Sequence, residues 1–341
     1  MKKLILLFCL QIIGTPLFSQ EWRTNIYVQN TNLVVRWKAP KHPWPKLAGI
    51  YHVVPTSFSP VLISNLMGMA NLTEKDQWGD RNNTNGKTYY NEKHLCSLGI
   101  SYLEGEILYD SPDWNRYSVT NLAQGVPEPS QLFHVTTNFL PTLGISLSEI
   151  SKKRNGQPDI YYPEVLSGFP GAGPHGGFLT NNFERMVRFH RDLNGARFFS
   201  HAGECALDFG EHGRVMKIDL SWPDLKCDQL YAAATPDEIV QRIRRGQALQ
   251  RHNLDLDGNE HLIDWSKIKS LTITNAEVWY YRGDTFIVRG YAPQLNAPNL
   301  VYPDAELWGF IDTGKEKTRV GIVCPIIDQT KPLLGGDSIE K

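Results

Sequence analysis

The sequence predicts an α+β fold: antiparallel sheets with helices packed on one face, in helix-then-hairpin units repeated along the chain. Three observations predict it. In residues 185–222, Val187 and Phe189, then Cys205, Leu207 and Phe209, then Val215, Ile218 and Leu220 recur with a period near two, as on a half-buried sheet. Two turn signals, Asn194-Gly195 and Gly210-Glu211-His212-Gly213, cut that stretch into a three-stranded meander. Helix starts near residues 60, 131 and 236 each precede strand-like runs, an order that argues against a doubly wound parallel sheet.

The chain opens with MKKLILLFCLQIIGTPLFSQEW. Lys2 and Lys3 form a basic start, Leu4 to Ile13 an apolar core, Gly14-Thr15-Pro16 a break, and Ser19 a small residue at a cleavage point. That pattern reads as a signal peptide over residues 1–19, too short to span a bilayer, so a secreted or periplasmic protein is expected. Cys9 lies inside the apolar core with too little chain before it for a lipoprotein. No later apolar run reaches transmembrane length. Losing the two lysines moves the formal charge from −1 to −3, which leaves no basic patch for nucleic acid.

The mature chain starts with strand-like Ile26 and Val28, then Val34, Val35 and Trp37, around a turn at Asn30-Thr31-Asn32. A passage with Pro40, Pro43, Pro45 and Pro55 reads as loop. Ser59 caps a first helix with Pro60 at its first position; Val61, Leu62, Leu66, Met67 and Met69 form its apolar face. Residues 73–93 read as a polar surface loop. A hairpin turns at Glu104-Gly105-Glu106 between Ile100 and Tyr102 on one side and Ile107 and Tyr109 on the other. A second helix begins near Ser130 and ends at Pro141, with Gly144 suited to a left-handed cap. Residues 160–165 read as an edge strand interrupted by Pro163, and Gly168–Gly177 as a glycine-rich loop.

Thr235-Pro236-Asp237-Glu238 is a capping box with proline at the first helical position. It starts a third helix with Ile239, Val240, Ile243 and Leu249 on one face and Arg242, Arg244, Arg245 and Arg251 on a solvated one. Two hairpins close the chain: residues 271–289, turning at Gly283-Asp284, and residues 305–327, turning at Gly314-Lys315. The expected organisation is an N-terminal α+β region over 20–125, a C-terminal α+β domain over 126–329 around the meander, and a disordered tail over 330–341.

This order resembles the small exported PepSY-like and YycI/YycH-like bacterial domains. SYLEGEILYD is similar to their strand pair, LFHVTTNFLPTLGISLSEI to a helix leading into a short turn, DFGEHGRVMKIDLSW to a strand pair ending in tryptophan, and TPDEIVQRIRRG to the following helix. The resemblance covers roughly 100–290. The glycine-rich loop, the four cysteines and the first hundred residues depart from it. It implies a non-catalytic role, binding or restraining a protein partner, and carries over no functional residue.

Three local patterns bear on chemistry. Asn253, Asp255, Asp257, Gly258 and Asp264 match EF-hand spacing for calcium. Asn at the first position, Glu260 at the eighth and the shorter Asp264 at the twelfth depart from it, and an Asp-Gly turn between helix and strand explains the same residues. His190, His201, Glu204 and His212 fall within 23 residues and are candidate zinc ligands for a hydrolase, although His201 and Glu204 point to opposite faces of a regular strand. Cys96, Cys205, Cys227 and Cys324 permit two disulfides in an exported protein; Cys205–Cys227 would tie the ends of the meander, and buried free thiols are the alternative. No GxSxG, HExxH or GxxxxGK[ST] occurs. Trp279, Tyr280, Tyr281 and Tyr291 crowd one hairpin, where one strand face suits sugar or peptide and a core on one side with a covered edge on the other is the stronger alternative. The expectation is a non-catalytic exported protein that binds an envelope protein or peptide, with no cofactor needed. A metal-dependent hydrolase and a calcium-stabilised structural module are the alternatives.

Overall fold

The computed structural model describes residues 27–335 except 29, 41–43, 81–82, 94, 114–122, 154, 163–169, 173–177, 181–183, 199–202, 251–262, 283–298, 313, 315–316 and 329–331. Two large sheets dominate it, one of ten strands and one of eight. Among the described residues there are three α-helices: α1 (Pro60–Ala70), α2 (Pro129–Phe139) and α3 (Pro236–Arg244). The α+β expectation is therefore corrected to a β-rich fold. Helix-then-hairpin units do not exist as such. The strands between α1 and α2 join the eight-stranded sheet, those after α3 join the ten-stranded one, and those between α2 and α3 are divided among both sheets and a separate two-stranded pair.

The eight-stranded sheet is antiparallel throughout. Its order is Gln77–Trp78, Gly86–Asn91, Cys96–Ser101, Glu106–Asp110, Val215–Ser221, Glu204–Phe209, Arg185–His190 and Ile160–Tyr161. Leu62 and Leu66 of α1 and Leu132 of α2 cover one face, packing on Leu98, Ile107, Val187, Leu207 and Ile218. Ser59 caps α1 as expected, its side chain accepting from the Val61 N–H. The apolar face of α1 is narrower than expected: Val61 is 66% exposed and Met69 is also exposed.

The ten-stranded sheet is mixed. Ser270–Arg282, Leu300–Asp312 and Lys317–Pro325 form an antiparallel core. Leu47–Val54, Asp224–Ala232 and Pro332–Gly335 extend it on one side. Val34–Trp37 and Ala196–Phe198 pair in parallel with Ser270–Arg282. Ile239 and Ile243 of α3 pack on the core of this sheet with Ile273, Ala305, Leu307 and Ile322. The capping box forms: Thr235 accepts from the Glu238 N–H, and Glu238 accepts from the Thr235 N–H. Arg242 is not solvated as expected, because its Nη1 donates to the Pro325 and Ile327 carbonyls at 2.6 and 3.0 Å.

The expected domain boundary near 125 does not fall between the sheets, because each sheet takes strands from both sides of it. Residues 55–223 instead form an insertion between two paired strands, Leu47–Val54 and Asp224–Ala232, whose ends Val54 and Asp224 are direct partners. The join is tight. Thr56 Oγ1 accepts from the Asp224 N–H at 2.8 Å, and Trp222 N–H donates to the Gly105 carbonyl at 2.8 Å. Gly105 has φ +62°, and a Cβ there would lie 2.3 Å from Pro223 Cα, so only glycine fits.

The meander is also more complex than three successive strands. Asn194 and Gly195 take φ +54° and +81° and form the expected tight turn. The hairpin they join, Asp192–Leu193 with Ala196–Phe198, belongs to the other sheet. The chain leaves one sheet after His190 and returns at Glu204. Leu47–Val54 and Gly86–Asn91, in passages expected to be loop, are strands. Ser270–Arg282 pairs with Leu300–Asp312, and the expected turn at Gly283-Asp284 lies outside the described residues. Pro332–Gly335 pairs as a strand, so part of the expected disordered tail is ordered.

Candidate functional site: an aromatic and carboxylate strip

Of the described zinc candidates, His190 and Glu204 are brought together and His212 lies elsewhere. His190 and Glu204 are direct cross-strand partners, with Nδ1 and Oε2 4.0 Å apart. Glu204 Oε1 is held by Arg188 Nε at 2.7 Å. Burial, with Arg197 and Arg188 nearby, pushes the His190 imidazole down to about 4. His212 sits in a turn past the far end of the Glu204 strand, at φ +55°. His201 lies outside the described residues. Of the calcium candidates, Asn253, Asp255 and Asp257 lie outside the described residues. Asp264 caps a short 3-10 turn, accepting from Ser266 and pairing with Lys267 Nζ at 2.7 Å. Among the described residues no group of three or more His, Cys, Asp or Glu is placed to hold a metal. The Cys205–Cys227 bond is not formed: all four cysteines are free. Cys205 is buried in the eight-stranded sheet, where it pairs with Phe189 and Leu220, and Cys227 pairs with Tyr51 in the other sheet.

The chemistry-bearing residues that do converge lie on the ten-stranded sheet. Ser270–Arg282 and Leu300–Asp312 pair over their full lengths. Leu271 and Ile273 face the core, and so do Ala276, Val278 and Tyr280. The change from odd to even positions comes from a bulge between Ile273 and Asn275, where Thr274 is the extra residue. Past the bulge, Asn275, Glu277, Trp279 and Tyr281 share the opposite face. The partner strand places Trp308, Glu306 and Asp304 beside them, in the pairs Asn275–Trp308, Glu277–Glu306 and Trp279–Asp304.

The arrangement has a local two-fold about the Glu277–Glu306 pair. Trp279 Nε1 donates to Glu277 Oε2 at 2.9 Å, and Trp308 Nε1 donates to Glu306 Oε1 at 3.2 Å. Arg197 lies over the Trp279 ring at 5.7 Å, and Arg319 over the Trp308 ring at 5.0 Å. Asn275 Nδ2 donates to Glu277 Oε1 at 3.4 Å, and the Tyr281 hydroxyl donates to Glu306 Oε2. Directly opposed like charges repel in a sheet; these donors offset that repulsion.

Burial is graded along the strip. Phe310 is 43% exposed, Trp308, Glu277 and Trp279 are half-buried, and Glu306 and Asp304 are 1% and 4% exposed. Burial pushes the Asp304 carboxyl up to about 7, with Arg242 opposing. The aromatic run at 279–281 was visible in the sequence. Its partner strand was not singled out, though Glu-x-Trp recurs in both AEVWYY and DAELWG and is the signal that marks the strip.

No family model and no curated protein matches this chain. Its structure is similar to that of an uncharacterized protein from Eubacterium rectale ATCC 33656, with 10% sequence identity, a TM-score of 0.45, and coverage of 88% of this chain and 89% of that one. A likeness of that degree carries no inference about activity. Among the described residues, no helix is long and apolar enough to cross a membrane.

Proposed function

We propose that this chain is an exported, non-catalytic binding protein whose ligand lies along the aromatic and carboxylate strip. The observation that carries the reading is the doubled Glu–Trp unit, in which each carboxylate is oriented by its own indole N–H. Ligand sites combine apolar and aromatic area with a few fixed polar groups, and the strip supplies both. Acid–base catalysis by two carboxylates needs environments that push their pKa values apart. Glu277 and Glu306 are instead each held by the indole N–H two residues along the same strand, an arrangement that suits recognition. The signal-peptide pattern supports export.

The test is a melting-temperature screen of the purified chain against soluble oligosaccharides and peptides, run in parallel on Trp308→Ala. A ligand at about 100 times its Kd stabilises the folded state by about 2.7 kcal/mol, a readily measured rise. A rise that disappears in Trp308→Ala supports the reading. A rise retained in that variant places the ligand elsewhere and refutes it.

A further inference from the structure

A cavity lies on the eight-stranded sheet, apart from the strip. The helix α1 presents two stripes. Leu62, Leu66 and Ala70 enter the core. Pro60, Ile63, Ser64, Met67 and Gly68, spaced i, i+3, i+4, i+7 and i+8, line a cavity of about 590 Å³. Ser64 and Gly68, one turn apart, put little side-chain volume into it. A Cβ at Gly68 would meet nothing within 4 Å. Glycine weakens a helix relative to alanine, and no close approach requires it here. Its effect is to keep the cavity open.

The opposite wall carries both signs of charge. Lys87 and Tyr89 come from Gly86–Asn91, two residues apart and so on one face of that strand. Glu74 comes from the 3-10 turn Glu74–Asp76, fixed by a capping box between Thr73 and Asp76. The Tyr89 hydroxyl donates to Glu74 Oε1 at 3.4 Å. Burial raises the pKa of that hydroxyl, Glu74 raises it further and Lys87 opposes, so both charges act within reach of one atom. Among the described residues no ion pair engages Glu74 or Lys87. Glu74, Ser64 and Gly68 are exposed and Lys87 is half-buried, so a ligand can reach them. Phe58 and Tyr102, with ring centres 6.3 Å apart, add apolar wall.

We propose that this cavity binds a small zwitterion with an apolar body: an amino acid or dipeptide with a large apolar side chain, its ammonium on Glu74 and its carboxylate on Lys87. A neutral apolar ligand would leave both charges unanswered. A singly charged one would meet a like charge as well as an opposite one. The volume lies within the roughly 300–1,000 Å³ usual for small-molecule sites.

The test is calorimetric titration of the full chain with phenylalanine, leucine and phenylalanyl-leucine, each free and blocked by N-acetylation or by C-amidation. At least one free ligand is expected to bind, and each block to lower its affinity by about tenfold. Glu74→Gln is expected to erase the penalty of acetylation alone, and Lys87→Met that of amidation alone. Gly68→Leu fills the free space and should abolish binding, with the melting temperature unchanged or raised. Trp308→Ala should bind as the wild type does. Failure of every free ligand to bind overturns the proposal. So does binding that ignores both blocks, keeps both penalties in the charge variants, or survives Gly68→Leu. Binding lost in Trp308→Ala places the ligand on the strip and overturns it too.

Discussion

Replacing Asp304 with asparagine tests the electrostatics of the strip floor. In the folded chain burial pushes this carboxyl from 3.8 up to about 7. Between those pH values the folded state keeps a proton that the unfolded state has released. Stability therefore falls as pH rises through that window, at about 1.4 kcal/mol per pH unit, and levels off above it. The accumulated loss is about 4 kcal/mol by pH 7. Asparagine has nearly the same shape and no proton to lose. The stability of Asp304→Asn relative to wild type should then climb from about pH 4 to about pH 7 and stay flat beyond. Urea unfolding at pH 4, 5, 6, 7 and 8, followed by tryptophan fluorescence and compared at a common m-value, measures the difference. Taking that difference cancels uncoupled groups that titrate in the same range. A constant offset between the two proteins across the series would falsify the buried-carboxyl account.

Three further outcomes are expected. Asp208, whose Oδ1 is buried with no hydrogen bond from a described residue, has its carboxyl pushed up to about 6; Asp208→Asn should gain on wild type from about pH 4 to pH 6, by about 3 kcal/mol in the same unfolding assay. Gly105→Ala puts a methyl 2.3 Å from Pro223 Cα at φ +62°, and a lowered melting temperature corresponding to about 3 kcal/mol is expected from combined strain and overpacking. Thr235→Ala removes the hydroxyl that accepts from the Glu238 N–H and should cost about 1 kcal/mol in denaturant unfolding, with no change in ligand affinity.

Local chemistry was legible in the sequence, and distant pairing was not. Ser59 and Thr235 cap their helices because one hydroxyl and one backbone N–H a few residues away suffice to specify the geometry. Asn194-Gly195 and Gly144 adopt the positive φ that their residue types tolerate. By contrast, Val54 meets Asp224, and Asp110 meets Lys217, across more than a hundred residues. Nothing in the period of either strand names its partner. Leu47–Val54 was hidden for a second reason, since prolines on either side made the passage read as loop. The cysteines illustrate the same limit: Cys205 and Cys227 are close in sequence, yet they lie in different sheets.

The strip was half legible for a comparable reason. The consecutive aromatics at 279–281 divide between two faces: Tyr280 joins the core, and Trp279 and Tyr281 join the strip. Which residues share the strip depends on the Thr274 bulge, because the inward positions change parity there while the partner strand keeps Ala305, Leu307 and Ile311 inward. A sequence reading that carries the alternation through from Leu271 would turn Glu277, Trp279 and Tyr281 into the core. Gly309 makes the bulge region possible, since a Cβ there would lie 2.2 Å from the Thr272 carbonyl.

The inserted unit and the strip are mechanically joined. Arg282, one residue past Tyr281, pairs with Glu104 of the insertion. Arg197, on a strand that the insertion lends to the ten-stranded sheet, stacks on Trp279 and pairs with Asp159. The strand that carries Glu277 and Trp279 is thus held at its far end by the sheet that contributes nothing to the strip itself. A site built across two strands depends on the precision of its backbone, and ligands bind best to groups already held in place. The insertion holds the end of that strand through charge-assisted contacts, and this accounts for two sheets with separate cores in one chain whose strip groups all lie on one of them.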